Sequence, residues 1–384
     1  MTLAELETDP HPVLAGLRER EPVSWVPALD AWIVTRRDLA LQVMRDAETY
    51  TVDDPRFSTA RVVGPSMLSL DGEEHERHRD PFARPFRLDA VRDRFTAIVS
   101  DDANRLVDAI EAEGAADLRR SFAGPLSVNA MVRALGLEDT EPDVALAWYA
   151  AIVADVTAIT AGQHVDGAGS DAFALLRESI EPALDRDSSV SLVAAAATDA
   201  GGLTRAQVAS NAAVLLFGGI ETTEAMIANA ILLLLEHDAE RELVTSDPGV
   251  VPNAVEESLR LEPAATVVDR YATRDVELAG AGIRRGDLVT VSVAGANRDP
   301  SVFPDPNRFD VRRPNAHHHV AFAQGPHVCL GMHLARLEAQ LAVTCVLERL
   351  PGLRLDPSRP SLVRGLVFRK PPTLHVLWDS ASTG

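Results

Sequence analysis

The chain has 384 residues, of which 46% are hydrophobic, and its formal net charge at pH 7 is −20. This length allows one large hydrophobic core or two domains of ordinary size. The large negative charge argues against nucleic acid or an anionic membrane as the main partner. The two cysteines are too few for a disulfide framework, which is typical of a cytoplasmic protein with reduced thiols.

Apolar residues recur at three- and four-residue spacing along most of the chain, which predicts a mainly helical fold. The predicted helices cover residues 38–48, 89–112, 125–136, 141–160, 171–185, 204–237, 249–261 and 330–349. The predicted strands are few and short, and they cover residues 32–35, 276–278, 288–293, 366–369 and 374–378. We therefore expect a single domain over residues 1–384, mainly α with small β-sheets. Its small β-rich lobe is contributed by residues 20–65, 270–295 and 360–380.

The most apolar stretch, residues 212–235, is long enough to cross a bilayer. However, Glu221 and Glu224 lie near its centre, where charge is costly in lipid. The N-terminus lacks a basic region followed by a long apolar run, so no signal peptide is expected. These features predict a cytoplasmic protein that does not use a membrane, with residues 212–235 as a buried helix.

The sequence AFAQGPHVCLG, residues 321–331, places Cys329 directly before the last predicted helix. Backbone amides and the positive end of a helix stabilise a thiolate at such a position. Gly325 and Gly331 would let the backbone turn and approach a flat ligand closely. A buried and inert thiol is the usual alternative, and we assign it to Cys345, which lies inside the same predicted helix. The flanking glycines and a nearby histidine favour Cys329 as a metal-binding thiolate.

This stretch resembles the haem-binding loop of the cytochrome P450 superfamily, whose pattern is Phe-Gly-x-Gly-x-His/Arg-x-Cys-x-Gly. The matching positions are Phe322, Gly325, His327, Cys329 and Gly331, and Ala323 replaces the first glycine. The resemblance implies a single-domain cytochrome P450 fold with haem b, iron protoporphyrin IX, as its cofactor. It also implies that Cys329 is the axial ligand of the haem iron. The other four matching residues would contact the cofactor, His327 at a propionate.

The predicted helix over 204–237 contains the sequence LLFGGIETTEA. Each of its two adjacent glycines costs about 1 kcal/mol relative to alanine inside a helix, so something must require them. One explanation is a close approach between helices. The resemblance implies instead an oxygen-binding groove, in which Gly218 and Gly219 leave room for dioxygen and Thr222 hydrogen-bonds it. Glu221 would relay protons, at a position where the family more often has aspartate.

Charged residues elsewhere in the chain extend the resemblance. In GEEHERHRDPFARPF, His75 and Arg79 are four residues apart and would share one face of a helix. They resemble the family's His-x-x-x-Arg pair at the haem propionates, and Arg270 matches a third propionate-binding residue. An exposed, salt-bridging role is the alternative in this segment, and it suits Arg77 and His78.

The sequence EESLR places Glu257 and Arg260 three residues apart on one face of a predicted helix. This spacing is common and means little by itself. The order of the motifs, after the acid–alcohol helix and before the cysteine loop, matches the family's buried ion pair. The resemblance therefore implies a structural role for both residues.

Two other patterns are not expected to bind ligands. GAGIRRG, residues 280–286, has glycines like those of a dinucleotide-binding loop, but their spacing is wrong and no strand–turn–helix surrounds them. Three consecutive histidines, residues 317–319, cannot all face one ion from a regular element. We predict a solvated loop tip there.

The resemblance implies a monooxygenase, because a cysteine ligand on haem iron favours O–O bond cleavage. We expect hydroxylation or epoxidation of a lipophilic small molecule by O2, with a secondary metabolite, terpenoid, steroid or aromatic compound as substrate. By family position, the residues expected to line the substrate pocket are Met67, Leu68, Val214, Phe217, Ala265, Thr266 and Leu366. Core packing is the alternative for each.

We expect no flavin or nicotinamide domain, and we therefore expect the electrons to come from another protein. The resemblance implies a ferredoxin with its reductase, and we expect the chain to be a monomer. A basic patch over Cys329 could receive the ferredoxin despite the negative net charge. Its proposed members are Arg77, Arg84, Arg87 and Arg336.

Three alternative functions stay open at this point. A P450-type oxidase that couples C–C or C–O bonds, or closes a ring, would share every motif. A haem-based sensor without turnover would have no use for a proton relay at Glu221 and Thr222. A zinc protein built on Cys329 and His327 has too few further ligands at suitable spacing.

Overall fold

The computed structural model describes residues 2–160, 164–185, 191–198 and 202–379. Its α-helices are α1 (Leu3–Thr8), α2 (His11–Arg20), α3 (Arg37–Arg45), α4 (Ser58–Val63), α5 (Gly72–Ala83), α6 (Leu88–Asp108), α7 (Gly124–Leu135), α8 (Pro142–Thr160), α9 (Ala168–Leu184), α10 (Leu192–Thr198), α11 (Arg205–Glu236), α12 (Asp238–Ser246), α13 (Val251–Leu261), α14 (Val293–Ala296) and α15 (Met332–Arg349). Its strands are β1 (Val23–Val26), β2 (Ala31–Val34), β3 (Tyr50–Thr51), β4 (Ala115–Asp117), β5 (Val267–Ala272), β6 (Val276–Leu278), β7 (Ala281–Ile283), β8 (Leu288–Ser292), β9 (Arg354–Leu355) and β10 (His375–Leu377).

The predicted fold class, mainly helical with small sheets, is confirmed. Each predicted helix corresponds to an observed one, namely α3, α6, α7, α8, α9, α11, α13 and α15. Four of the predicted strands correspond to β2, β6, β8 and β10. The strand predicted over 366–369 is wrong, because that segment makes only an isolated bridge between Phe368 and Ala265.

The chain divides into two compact units. The first contains Met1–Thr51, Val99–Leu126 and Thr222–Gly384, and the second contains Val52–Ile98 and Ser127–Glu221. The single-domain organisation over residues 1–384 stays a prediction.

The first unit contains a five-stranded sheet in the order β1-β2-β8-β5-β3. Strands β2 and β8 run parallel, and the other neighbours are antiparallel. The fully buried side chains of Val289 and Val291 on β8 join a cluster with Val43 of α3 and with Val320. This cluster fixes the chain just before the cysteine loop, since burial of such side chains stabilises by about 1.5–3 kcal/mol each.

An ion network of buried side chains also lies in the first unit. Nε and Nη2 of Arg260 donate to the Glu257 carboxylate, at 2.7 and 2.8 Å. The Nε of Arg313 donates to the same carboxylate at 3.0 Å. Arg260 also donates to the carbonyl oxygens of Asn297 (3.1 Å) and Pro306 (2.7 Å). The two arginines therefore tie the irregular segment between α14 and the cysteine loop to α13. The sequence pattern pointed to Glu257 and Arg260 but not to Arg313.

The second unit is helical, with α8 packed along α9 and α4 in contact with both. Among the described residues, two helices, over Pro142–Ile159 and Arg205–Glu236, are long and apolar enough to cross a membrane by length and composition. The most apolar stretch of Arg205–Glu236 is 83% buried within the protein, as the sequence predicted for a core helix.

Candidate functional site

Cys329 lies just before the N-terminus of α15, which starts at Met332 with Gly331 as its N-cap. The residue is exposed, and its backbone N–H donates to the carbonyl oxygen of Phe322 at 2.8 Å. This hydrogen bond closes the loop. The first amides of a helix have no intrahelical partner and carry partial positive charge, so the position stabilises a thiolate.

Two residues of the loop have left-handed backbone. Gly325 has a φ of +77°, and a Cβ at that position would lie 2.4 Å from the carbonyl oxygen of Met44 at the end of α3. Glycine is therefore required there by both conformation and space. Ala323 has a φ of +56°, so the alanine that replaces the family's glycine occupies a backbone conformation that glycine adopts more easily.

The other cysteine has a different environment. Cys345 is buried inside α15, and its thiol lies 3.8 Å from Oδ1 of Asn104. Burial raises the pKa of the Cys345 thiol to about 11. Cys345 is thus a protonated, structural thiol, as predicted.

One face of α11 is partly accessible although most of the helix is buried. The accessible positions Leu215, Gly218, Gly219 and Thr222 follow the three- and four-residue spacing of a helix face. Apart from its chain neighbours and the backbone of α11 itself, no heavy atom of the described residues lies within 4 Å of a Cβ placed on Gly218. A Cβ on Gly219 would instead lie 2.2 Å from Sδ of Met131. Close packing against Met131 therefore explains Gly219, and Gly218 faces open space.

The second carboxylate of this helix, Glu224, has a structural explanation that the sequence did not supply. It is buried, and its Oε1 lies 3.1 Å from Nε of Arg119. Its other oxygen accepts a hydrogen bond from Lys370, the only lysine of the sequence. Two cations thus neutralise Glu224 one helical turn from Glu221, which is itself nearly buried.

Helix α5 carries the predicted His75 and Arg79 on one face, with His75 buried and Arg79 partly exposed. Arg77 forms an exposed salt bridge with Glu74 at 2.7 Å, as the alternative role predicted. The same expectation was wrong for His78, which is buried and lies 3.1 Å from Nδ2 of Asn211.

Asn211 also contacts one of the predicted pocket residues. Its Oδ1 accepts the backbone N–H of Met67 at 2.7 Å, which places Met67 beside α11, one turn from Val214. Met67 and Val214 are buried, whereas Leu68 and Phe217 are partly exposed. Asn211 was not predicted from the sequence, although an amide inside an apolar helix is a usable signal for a buried hydrogen bond.

The remaining predicted pocket residues lie together in the first unit. The Thr266 hydroxyl donates to the carbonyl oxygen of Leu366 at 2.5 Å, and Ala265 bridges to the neighbouring chain segment. Thr266 is buried, whereas Ala265 and Leu366 are partly exposed. The Thr266 hydroxyl is therefore used in a hydrogen bond to the backbone, whereas Ala265 and Leu366 present partly exposed apolar surface. Arg270, on β5, is buried and donates to the carbonyl oxygen of Asp269 at 2.7 Å.

Two sequence interpretations near the loop need correction. Among the three consecutive histidines, His317 and His318 are exposed, but His319 is buried and is not part of a solvated tip. Arg336, expected in a basic docking patch, donates to Glu256 through Nε at 2.6 Å and through Nη2 at 2.9 Å. Its charge is therefore neutralised within the protein.

The donor set fits a haem better than a bare metal ion. Within the described ranges, no group of three or more His, Cys, Asp or Glu side chains is placed to hold a metal ion. A haem needs only one protein ligand for its iron, and the exposed Cys329 can supply it. Arg270 and His327, in the same unit, are side chains of the kind that bind carboxylates such as propionates. The zinc alternative lacks ligands, and the haem interpretation does not.

Comparison with known proteins gives the same result. The family model described as Cytochrome P450 matches residues 249–376. The nocardicin C N-oxygenase of Nocardia uniformis subsp. tsuyamanensis is 36% identical, with 96% of each chain covered. The mycinamicin IV hydroxylase/epoxidase of Micromonospora griseorubida is 35% identical over 94% of each chain. The cytochrome P450 PksS of the bacillaene polyketide synthase of Bacillus subtilis 168 superposes with a TM-score of 0.87 at 27% identity, covering 98% of each chain. The chain therefore belongs to the cytochrome P450 family of haem-iron, O2-dependent monooxygenases.

Proposed function

We propose that this monooxygenase hydroxylates or epoxidises a lipophilic secondary metabolite in the cytoplasm, as a monomer supplied with electrons by a ferredoxin and its reductase. The observation that carries the proposal is the exposed thiol of Cys329 at the N-terminus of α15 in a chain 36% identical to an N-oxygenase. The activities after which the two relatives are named, N-oxygenation and hydroxylation or epoxidation, support insertion of oxygen rather than coupling.

Haem b is the proposed cofactor, with Cys329 as the axial ligand of its iron. His75, Arg79, Arg270 and His327 would hold its two propionates, because cationic and N–H-donating side chains suit carboxylates. The loop residues that complete the cofactor contact are Phe322, Gly325 and Gly331. When bound, a thiolate-ligated haem supplies the activation of dioxygen.

The accessible face of α11 supplies the polar groups for this chemistry. Gly218 leaves space beside the helix, and the Thr222 hydroxyl can both donate and accept a hydrogen bond there. Glu221 precedes it and can pass protons towards Oγ1 of Thr222. Gly219, for which the same oxygen-binding role was expected, lets α11 approach Met131 closely.

We expect a lipophilic substrate because most of the residues proposed to line the substrate pocket are apolar. The proposed lining residues are Met67, Leu68, Val214, Phe217, Ala265, Thr266 and Leu366. Apolar side chains bind such a molecule by removing its surface from water, at about 25 cal/mol for each Å² buried. Terpenoid, steroid and aromatic compounds share this chemistry and belong in the same test panel.

Titration of the purified holoprotein with lipophilic compounds tests the substrate class. A substrate that displaces water from the iron shifts the haem absorption, and it should then stimulate NADPH oxidation in the presence of a surrogate ferredoxin and its reductase. Products should carry oxygen from labelled O2. A spectral shift without NADPH oxidation would favour a sensor, and an oxidised product without added oxygen would favour a coupling or ring-closing oxidase.

Two adjacent threonines provide a matched test of the proton-relay role. Thr222→Val removes the hydroxyl on the accessible face of α11, so product formed per NADPH oxidised should fall several-fold. Thr223→Val makes the same chemical change at a buried position next to it and should leave this ratio unchanged. Equal ratios in both variants would contradict the role of Thr222.

The electron donor is proposed to bind near Arg84 and Arg87, since the structure pairs the other two expected patch members with carboxylates. Both arginines are exposed. Reversing their charges should slow reduction by ferredoxin and weaken its dependence on salt. The same double reversal at the exposed Arg284 and Arg285 is the control. Equal reduction rates for the two double variants would contradict this docking site.

A further inference from the structure

Two side chains contact the aromatic ring of Phe322, the residue whose carbonyl oxygen accepts a hydrogen bond from the backbone N–H of Cys329. The guanidinium of Arg336 lies 4.5 Å from the ring centroid. The imidazole of His319 lies 5.7 Å from it, centroid to centroid. A cation over an aromatic face is worth about 0.5–2 kcal/mol, so the ring is held by specific contacts and not by shape alone.

A single carboxylate, Glu256, orients both of these side chains. Arg336 donates to it twice, at 2.6 and 2.9 Å, in the bidentate geometry that fixes the plane of a guanidinium. His319 contacts the same carboxylate through Nε2 at 3.2 Å. Glu256 lies in the EESLR sequence and His319 in the run of three histidines, but neither was predicted to support the cysteine loop.

The hydrogen bonds fix the charge and the tautomer of His319. The N–H of Ala321 donates to Nδ1 of His319 at 3.1 Å, so Nδ1 carries no proton and Nε2–H donates to Glu256. Burial lowers the pKa of His319, which keeps the ring neutral. Burial alone would raise the pKa of Glu256, but hydrogen bonds from His319 and Arg336 outweigh it and lower that pKa to about 2.

We propose that Glu256 is a positioning residue for the cysteine loop, holding Arg336 and His319 against Phe322 and thereby the backbone that carries Cys329. The inference rests on the proposed role of Cys329 as the ligand of haem iron. The loop needs such support because Ala323, between Phe322 and the cysteine, has a left-handed backbone that must be held by its surroundings. Hydrogen bonding and packing around a thiolate ligand tune the electron density at the metal.

Glu256→Gln tests this role, because the amide keeps the shape of the side chain and removes its charge. In the holoprotein, the fraction of the ferrous carbonyl complex without the red-shifted absorption of a thiolate ligand should rise several-fold. The ferric/ferrous midpoint potential should shift as well. Arg336→Lys keeps the charge but loses the planar fork, so it should change both readouts in the same direction. It also provides a second variant if Glu256→Gln does not fold.

Glu262 offers a matched control in the same unit. It is a buried carboxylate that also contacts one histidine, His11 at 2.5 Å, and an arginine, Arg298 at 2.8 Å. Among the described residues, its ion-pair partners His11, Arg298 and Arg369 all lie outside the cysteine loop. Burial alone would raise the pKa of Glu262, but the hydrogen bond from His11 and the nearby arginines lower it to about 2. Glu262→Gln should therefore lower the unfolding temperature as Glu256→Gln does, and leave the carbonyl spectrum and the potential unchanged.

Two results would overturn the positioning role of Glu256, and a third would overturn Cys329 as the ligand. A carbonyl spectrum and potential unchanged in both Glu256→Gln and Arg336→Lys would overturn the positioning role. Equal changes in Glu262→Gln would also overturn it, because general destabilisation would then account for them. A wild-type carbonyl complex without thiolate absorption would overturn the proposed ligand itself, and that result is separable because it needs no variant.

Discussion

Replacing Gly325 with alanine tests the backbone packing that shapes the cysteine loop. The new Cβ would lie 2.4 Å from the carbonyl oxygen of Met44 and 2.9 Å from Cα of Arg45. A left-handed backbone costs a residue other than glycine about 1–2 kcal/mol, and atoms forced into a packed site cost about 1–3 kcal/mol. The obstructing atoms belong to the backbone and cannot rotate away. We therefore expect the free energy of unfolding to fall by roughly 2–5 kcal/mol.

Denaturant unfolding of the holoprotein measures this loss, and two variants of the same loop serve as controls. Ala323→Gly relieves left-handed strain of about 1–2 kcal/mol and loses about 0.4–1 kcal/mol through the more flexible unfolded chain. Its free energy of unfolding should be unchanged or slightly higher. Gly331→Ala meets no atom of the described residues within 4 Å. A faster loss of haem from Gly331→Ala would therefore indicate contact with the cofactor.

A specific result would refute this reasoning about the loop. If Gly325→Ala unfolds within about 0.5 kcal/mol of the wild type, the range typical of unconstrained surface positions, the approach to α3 does not constrain the loop. A loss of similar size in Ala323→Gly would show that left-handed strain is not what distinguishes the two positions.

Three further tests concern buried ionisable groups. Arg313→Ala leaves the fully buried Glu257 with one cation fewer, so denaturant unfolding should show a loss of about 3–5 kcal/mol, and a loss below 1 kcal/mol would contradict its place in the network. Burial raises the pKa of Glu338 well above its usual value, so the folded protein keeps a proton that the unfolded chain releases near pH 4. Stability should therefore fall as pH rises between these two pKa values, and thermal unfolding of Glu338→Gln should lack that fall; parallel pH profiles would contradict it. Lys370 pairs with Glu224 and its side chain is 13% exposed, so amine reagents should modify it only after unfolding, and mass spectrometry showing rapid labelling of the folded protein would contradict the pairing.

Long periodic helices were predictable from the sequence, whereas paired strands were not. Helices such as α11 show several turns of apolar spacing, which is a local property. Strand β5, with the sequence VVDRYA, has two charged residues in its middle and was missed. Its pairing with β8 and β3 decides its conformation, and those partners are distant in sequence. Residues 366–369 show the opposite error: a strand was predicted there, but the segment makes a single bridge instead of joining a sheet.

The same distinction applies to the candidate site. Cys329 could be found because its motif occupies one short stretch of the chain. The adjacent Gly218 and Gly219 look equivalent in sequence, and only the position of Met131 shows that one permits packing while the other faces open space. His319 is likewise indistinguishable from its two neighbouring histidines until its carboxylate partner is known.

The two adjacent carboxylates of α13 show how a local repeat acquires two roles. Successive helical residues point about 100° apart, so Glu256 and Glu257 can serve different clusters. Glu257 binds Arg260 and Arg313 at positions that are almost completely buried, where loss of one charge leaves another unpaired and threatens the fold. Glu256 binds an arginine that is partly exposed, so its neutralisation leaves that arginine access to water. Removing the first carboxylate should therefore unfold the protein, whereas removing the second should leave it folded with a displaced cysteine loop.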